Sequence, residues 1–511
     1  MESAPLLGNA PSSEIGHGCA TRLDPFKQHF HKWRTFYICA LFLIVTDVPS
    51  FMGEGPMLRM LELGACREYY AIHDPDSIDS HGNVPERLCK LSDIQSRVAR
   101  VRSLLAFLEA VPGLLLAVPY GIVADTHGRG LVVGLCLAGF LVRDTWVFIC
   151  LYFYKVFPLN AVYLAPMTAI LGGGSTVTGP MLFAMIAAST ARESRSLQHF
   201  PSQIRSFLTP DLRAHAFFMI QVCLLALESI SPPLGSLLME TVGPYYAWLA
   251  GIPLGLLGFA CLSFLPRNKT FAITECEPCA PEDAEHSASS TTMYDRSKER
   301  VTALAYHLRH DIPKLFHSKS LFVGLLAMFT AKMARPIKDL LSQFMTAKFE
   351  WPISQANLLI SVHAAAQLPW FIAVLPTANA WLLRWQGDAV KANHVLATLL
   401  VSCLTLGAIF MGLAPTSVTF IIAVIVYTGG SGFSVAMRSL LTALVTDDQL
   451  SLLFTTIAVF EASALLTAAP LLQFLFAKGL QYGGLMISLP FFTVAVFYGC
   501  ATMALSLCTF K

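Results

Sequence analysis

A chain of 511 residues with 55% hydrophobic and only 13% charged side chains, and a mean hydropathy of +0.58, lies outside the soluble range, where about a quarter of residues are charged. The net charge of +2, with no long basic face standing clear of apolar sequence, argues against a nucleic-acid partner. There is no Gly-x-x-x-x-Gly-Lys-Ser/Thr phosphate loop, His-Glu-x-x-His metal motif or Gly-x-Ser-x-Gly elbow, so nucleotide-driven pumping and hydrolase chemistry are not expected, nor is a cofactor or metal.

In chain order, residues 1–34 read as a polar cytoplasmic tail. The first apolar run starts near Thr35, too far in and without a small-residue cleavage site for a signal peptide, so it is expected to stay as an anchor. Breaks at charge and Pro/Gly clusters then divide the chain into twelve stretches, each near the ~20 residues a span needs. They are 35–57, 101–121, 131–153, 160–188, 214–239 and 245–265, then 320–344, 354–376, 392–413, 418–441, 451–475 and 484–508. Runs such as Leu131–Leu141 and Val418–Tyr427 are apolar on every side and do not alternate, which excludes barrel strands and leaves helices. The fold class expected is an all-α membrane protein: a six-helix bundle over 35–265, a polar cytoplasmic linker over 266–319, and a second six-helix bundle over 320–511.

Orientation follows Lys/Arg in short loops. Arg22, Lys27, Lys32 and Arg34 precede the first span, and Arg129, Arg192, Arg195, Arg205, Arg213, Arg384 and Lys391 fall in alternate loops on the same side, so both termini are placed in the cytoplasm. The polar segment 64–100 is then an extracellular loop. Cys66 and Cys89 flank it, and a disulfide between them is expected in an oxidising exterior. The other cysteines sit mostly singly in apolar runs as small core residues, and Cys276/Cys279 read as a loop feature. The Asn268-Lys-Thr270 sequon falls on the cytosolic linker, where it would stay unmodified.

The halves repeat. Gly173, Gly174, Ser175 and Met181 recur 256 positions later as Gly429, Gly430, Ser431 and Met437, and Pro112 and Pro119 recur 257 positions later as Pro369 and Pro376. Two blocks in register point to a duplicated six-helix unit. Such glycines either open a midplane cavity or let helices pack closely, and both readings stand.

Gly121-Ile-Val-Ala-Asp125-Thr-His-Gly128-Arg129 resembles the major facilitator motif between spans two and three, in which Asp125 and Arg129 would hold the charge contacts of one closed state. Thr126 and Gly130 stand where basic residues are usual, so part of that network is missing. Ser231-Pro232-Pro233-Leu234-Gly235-Ser236 is similar to the drug–proton antiporter motif, with Ser at both outer glycine positions. Glu62-x-x-x-Cys66-Arg67-x-Tyr69-Tyr70, Leu88-Cys89-Lys90, Lys348-Phe349-Glu350-Trp351 and Arg438-Ser439-Leu440-Leu441-Thr442 resemble fungal major facilitator transporters often found with secondary-metabolite pathways. The resemblance implies the fold, and by association export of a small-molecule cargo from a monomer in the lipid bilayer, coupled to protons. A nutrient importer and a transport-dead receptor are the alternatives.

Charges inside a bilayer are functional candidates by default. The deepest expected are Asp47, Glu109, Arg143, Asp144, Glu228, Lys332, Arg335, Asp339, Arg438 and Glu461. Arg335 and Asp339, four apart on one helix face, would neutralise each other. Arg143 and Asp144 point about 100° apart and would not share a partner. Asp47, Glu228 and Glu461 have no same-helix cation at three or four positions, and with Arg335 they are the candidate substrate and proton site. His363 reads as a packing residue. The plasma membrane is the expected location, with a vacuolar or endosomal membrane as the alternative raised by the Glu2-x-x-x-Leu6-Leu7 sorting pattern.

Overall fold

The computed structural model describes residues 34–80, 82–182, 185, 202–264, 319–445 and 450–508. The readings at Glu2, Leu6, Leu7, Asn268, Thr270, Cys276 and Cys279 lie outside the described residues.

Helix α1 (Arg34–His73) is 40 residues long, about 60 Å at helical rise, so it outruns a ~30 Å hydrocarbon core and carries its end into the 64–100 loop. Helix α2 (Ser92–His127) returns from that loop and α3 (Arg129–Tyr152) follows at once. The turn between them is made by Gly128 at φ 97°, a conformation that spares only glycine a Cβ clash. The fourth crossing is broken. It runs as a 3₁₀ segment (Leu159–Ile170), then Gly172, Gly173 and Gly174 at positive φ, then helix α4 over 175–182. Helices α5 (Ser202–Thr241), α6 (Pro244–Leu249) and α7 (Gly251–Ser263) complete the first bundle.

The second bundle comprises α8 (Lys319–Ala334), a 3₁₀ turn (Arg335–Leu340), α9 (Leu341–Phe349), α10 (Ile353–Pro369), a π turn (Trp370–Val374), α11 (Leu375–Gln386) and α12 (Ala389–Leu413). It ends with α13 (Ser417–Thr428), α14 (Phe433–Ala443), α15 (Leu450–Tyr482) and α16 (Leu489–Leu507). Ten of the described stretches are long and apolar enough to cross a membrane. Of the other two expected crossings, α2 carries Arg97, Arg100, Arg102 and Glu109 within it, and the fourth is interrupted at its glycines.

The repeat is visible in the backbone. The tenth crossing breaks between α13 and α14 at Gly429–Gly432, the counterpart of the break at Gly172–Gly174. The two breaks also sit against matching helices. A Cβ on Gly172 would lie 2.3 Å from the Cys136 amide nitrogen on α3, and one on Gly430 would lie 2.4 Å from the Leu400 carbonyl on α12. Close backbone approach is therefore what the Gly172 and Gly430 positions serve. Gly430→Ala is expected to cost about 1–3 kcal/mol through overpacking. Gly130→Ala, where a Cβ meets nothing within 4 Å, should be neutral to stabilising by up to about 1 kcal/mol. Melting curves of the two purified variants compared with the parent check this.

The second bundle shares one core, centred on Phe344, Phe420, Phe476 and Phe491, whose rings meet at 4.6–6.3 Å. Among the described residues the first bundle does not. Its core separates into a cluster beside the loop and two smaller ones toward the opposite face. The bundles meet along two seams, α2 on α15 and α5 on α10.

Candidate functional site

Where the core of the first bundle is interrupted lies a cavity of about 480 Å³, within the range of small-molecule sites. The face of α1 bearing Leu43, Thr46, Asp47, Ser50, Gly53, Glu54 and Met57 forms one wall, the positions recurring at three- and four-residue steps. Phe42, Phe140 and Trp248 add aromatic surface, and Glu109 from α2 with Arg143 and Asp144 from α3 line another side. Arg143 donates to Asp144 Oδ1 at 2.9 Å and to Glu109 Oε1 at 3.1 Å. The two neighbours pair with each other, the long Arg143 side chain folding back onto Asp144, and among the described residues Glu109 is bonded by Arg143 alone of the two. Asp47 has no hydrogen bond or ion pair among the described residues, nor does Glu54.

The cavity adjoins a charge cluster at mid-depth between the bundles. Glu228 on α5 accepts from Lys338 in the 3₁₀ turn at 2.8 Å, an ion pair joining the two bundles. Glu54 and Asp339 lie within electrostatic reach of that pair, and Arg102 within reach of Glu54 and Asp339. Arg335 and Asp339 form no ion pair with each other among the described residues. The expectation that they share a face assumed 3.6 residues per turn; residues 335–340 are 3₁₀, where a four-residue step turns the side chain about 120° away. Glu461 on α15 accepts from Arg438 on α14 at 2.8 and 2.9 Å and lies 3.2 Å from Lys332 on α8. So Glu228 and Glu461 both find cations, on other helices. His363 meets Thr428 Oγ1 and Gln367, each at 2.8 Å.

Glu54, Arg102 and Lys338 were missed by the sequence reading. Glu54 carries a usable signal, since it falls seven residues, two turns, after Asp47 on the same face of α1. No comparable pattern marks Lys338, whose partner is 110 residues away.

Toward the loop, the motif residues assemble into one buried network. Cys66 and Cys89 are disulfide-bonded. Glu62, 1% exposed, accepts from Arg59, from Lys90 Nζ at 2.8 Å and from Gln95 Nε2 at 2.7 Å. Arg67 donates to the Gly82 carbonyl and to the Tyr245 hydroxyl and lies 3.8 Å from the Tyr154 ring centroid. Across the seams, Ser92, Ser96 and Ser103 donate to the carbonyls of Leu480, Ala477 and Pro470. Asn357 on α10 donates to Pro232 O and Ser236 Oγ, both in the antiporter-like segment, at 3.3 Å. Gly235 in that segment lets α5 lie directly on the α1 backbone, since a Cβ there would come 2.0 Å from Met52 O. At the opposite face, Gly121 and Gly128 have open space where a Cβ would stand, Arg129 opens α3, and the Asp125 side chain lies outside the described residues.

No family model matches the chain. Curated relatives do. The chain is 27% identical over 471 residues to the MFS efflux pump atnC of Emericella nidulans, covering 90% of this chain and 84% of that one. It is 25% identical over 491 residues to the efflux pump ustT of Aspergillus flavus, covering 94% and 89%. Among solved structures, a bacterial homologue of the iron transporter ferroportin in its inward-facing state superposes with a TM-score of 0.55 at 13% identity, covering 93% of this chain and 99% of that one. The human organic anion transporter MFSD10 superposes at 0.52 and 14%, covering 93% and 99%. Over most of its length the chain is similar to major facilitator superfamily efflux pumps, and it has the major facilitator fold. It is a multi-pass membrane transporter, not an enzyme, and the two broken crossings, the seams and the cavity are features of that fold in this chain.

Proposed function

We propose that this transporter is a proton-coupled efflux carrier of the plasma membrane, acting as a monomer on small organic cargo that bears a cationic group. One observation carries the reading: among the described residues the wall of the 480 Å³ cavity holds four carboxylates, Asp47, Glu54, Glu109 and Asp144, against a single cation, Arg143. If all were ionised that wall would be strongly negative, and a desolvated charge of one sign must be neutralised by a proton or by a cation. A carboxylate that takes either in turn exchanges cargo for protons. The aromatic lining suits the apolar body of such a cargo and attracts a cation by its ring faces. Export is supported by the names of the relatives, both efflux pumps. The hydrogen bonds across the loop-face seams suit a state closed on that face, and export then requires access from the opposite one, the cytoplasmic face in the orientation expected from Lys/Arg placement.

Tetraphenylphosphonium and tetraphenylborate have the same shape and opposite charge, and their saturable binding to the purified protein tests this. The phosphonium is expected to bind and the borate not, with the phosphonium lost in an Asp47→Asn, Glu54→Gln double variant. Equal binding of both probes, or phosphonium binding unchanged in that variant, would refute the cationic reading.

A further inference from the structure

The first turn of α10, in the second bundle, lacks a cap of its own. Its N-cap residue is Pro352, which has no side-chain acceptor for the free amides that open a helix. The acceptor comes from the first bundle instead: Glu86 Oε1, on the loop closed by the Cys66–Cys89 bridge, takes the Ile353 N–H at 2.9 Å. A carboxylate suits that position because a helix N-terminus carries partial positive charge.

The groups facing Glu86 are few. Lys90, in its own turn, donates to Oε1 at 2.9 Å, and Arg59 on α1 approaches Oε2 at 3.9 Å. Glu62 stands behind both cations, and from the second bundle the contact is the uncharged Ile353 amide. The other seam bonds near the loop, from Ser92, Ser96, Ser103 and Asn357, join neutral groups. Glu86 is also reachable. Its side chain is 30% exposed, whereas Lys90 is 7% and Glu62 is 1%.

We propose that Glu86 is an acid-releasable latch between the bundles. Ionised, its carboxylate holds α10 against the disulfide-closed loop; protonated from the loop side, it lets go and frees the seams to part on that face. Burial opposes its charge, but Lys90 foremost, then Arg59 and the Ile353 amide, outweigh burial and hold Glu86 below the usual carboxylate value. Lys90 and Arg59 belong to the same bundle and stay beside Glu86 when the seams part, so the share of the lowering that the latch itself adds is the Ile353 amide's. The stabilisation it gives is present above the carboxyl's pKa in the open state and is lost as pH falls through the latched value. Acid on the loop face therefore favours opening toward it, the direction in which an exporter that draws in protons must open. The latch is a property of the conformational equilibrium and stands whatever the cargo is.

Hydrogen exchange of the full-length protein in nanodiscs, corrected for the intrinsic pH dependence of exchange, tests the latch. Between neutral buffer and buffer acidified below the usual carboxylate value, protection of segment 350–358 is expected to fall about tenfold, with segments 92–103 and 470–481 opening alongside it. Glu86→Gln keeps an acceptor oxygen without the charge and should lose the pH response; Glu86→Ala should be unprotected in both buffers. Parental protection that ignores pH, or a pH response retained in Glu86→Gln, overturns the proposal. So does opening confined to 350–358, which would make Glu86 a local helix cap.

Discussion

Asp47→Asn is expected to abolish cargo accumulation driven by a pH gradient while leaving cargo-for-cargo exchange in place. Asp47 sits on the cavity wall with no hydrogen bond or ion pair among the described residues, so its charge is the least compensated on α1. A gradient of about two pH units is worth about 2.7 kcal/mol for each proton exchanged, a roughly hundred-fold accumulation. Proteoliposomes loaded with tetraphenylphosphonium should show that accumulation with the parent and none with Asp47→Asn. Glu228→Gln and Glu461→Gln should behave differently. Each leaves a cation behind, Lys338 in one case and Lys332 with Arg438 in the other, so the expected losses are in assembly and in the balance between conformations. Full gradient-driven accumulation by Asp47→Asn would move the coupling proton elsewhere, with Glu54 as the next group to replace.

The largest stability effect is expected at Glu62. Its carboxylate is almost wholly enclosed and takes donors from Arg59, Lys90 and Gln95 at once. Replacing it with Ala leaves Arg59 and Lys90 to the partly exposed Glu86 carboxylate, which Lys90 meets at 2.9 Å and Arg59 approaches at 3.9 Å, and breaking a buried pair in this way costs up to about 3–5 kcal/mol. The purified Glu62→Ala protein should melt well below the parent or fail to accumulate in the membrane. Glu62→Gln keeps an acceptor for Gln95 but cannot compensate Lys90, and should fall between them. A Glu62→Ala protein that melts with the parent would mean that water replaces the carboxylate and that the network contributes little.

These two residues also mark how far the sequence could be read. Glu62 stood in a motif that resembled a transporter family, yet its partners Lys90 and Gln95 lie 28 and 33 residues away, and only the return of α2 beside α1 brings them together. Asp47 was legible because it was an acid in an otherwise apolar stretch, a signal that needs no partner. Glu54 was not singled out, though its two-turn spacing from Asp47 placed it on the same wall. The Arg335–Asp339 pairing failed because a four-residue spacing specifies a shared face only in an α-helix, and Arg335 opens a 3₁₀ turn there with Pro336 in its first turn.

Hydrophobic runs, the twofold repeat and the flanking of one polar loop by two cysteines are local or periodic, so the amino-acid sequence by itself determined a helical membrane protein of two similar bundles and pointed to its disulfide-closed loop. The tertiary structure decided which way each helix turns about its axis. That rotation pairs Glu228 with Lys338 and Glu461 with Lys332 and Arg438, leaves Asp47 and Glu54 facing a cavity, and sets Glu86 on the first amide of α10. In a bundle apolar on nearly every side, hydrophobic periodicity is too weak to fix such rotations, and packing across the seams settles them.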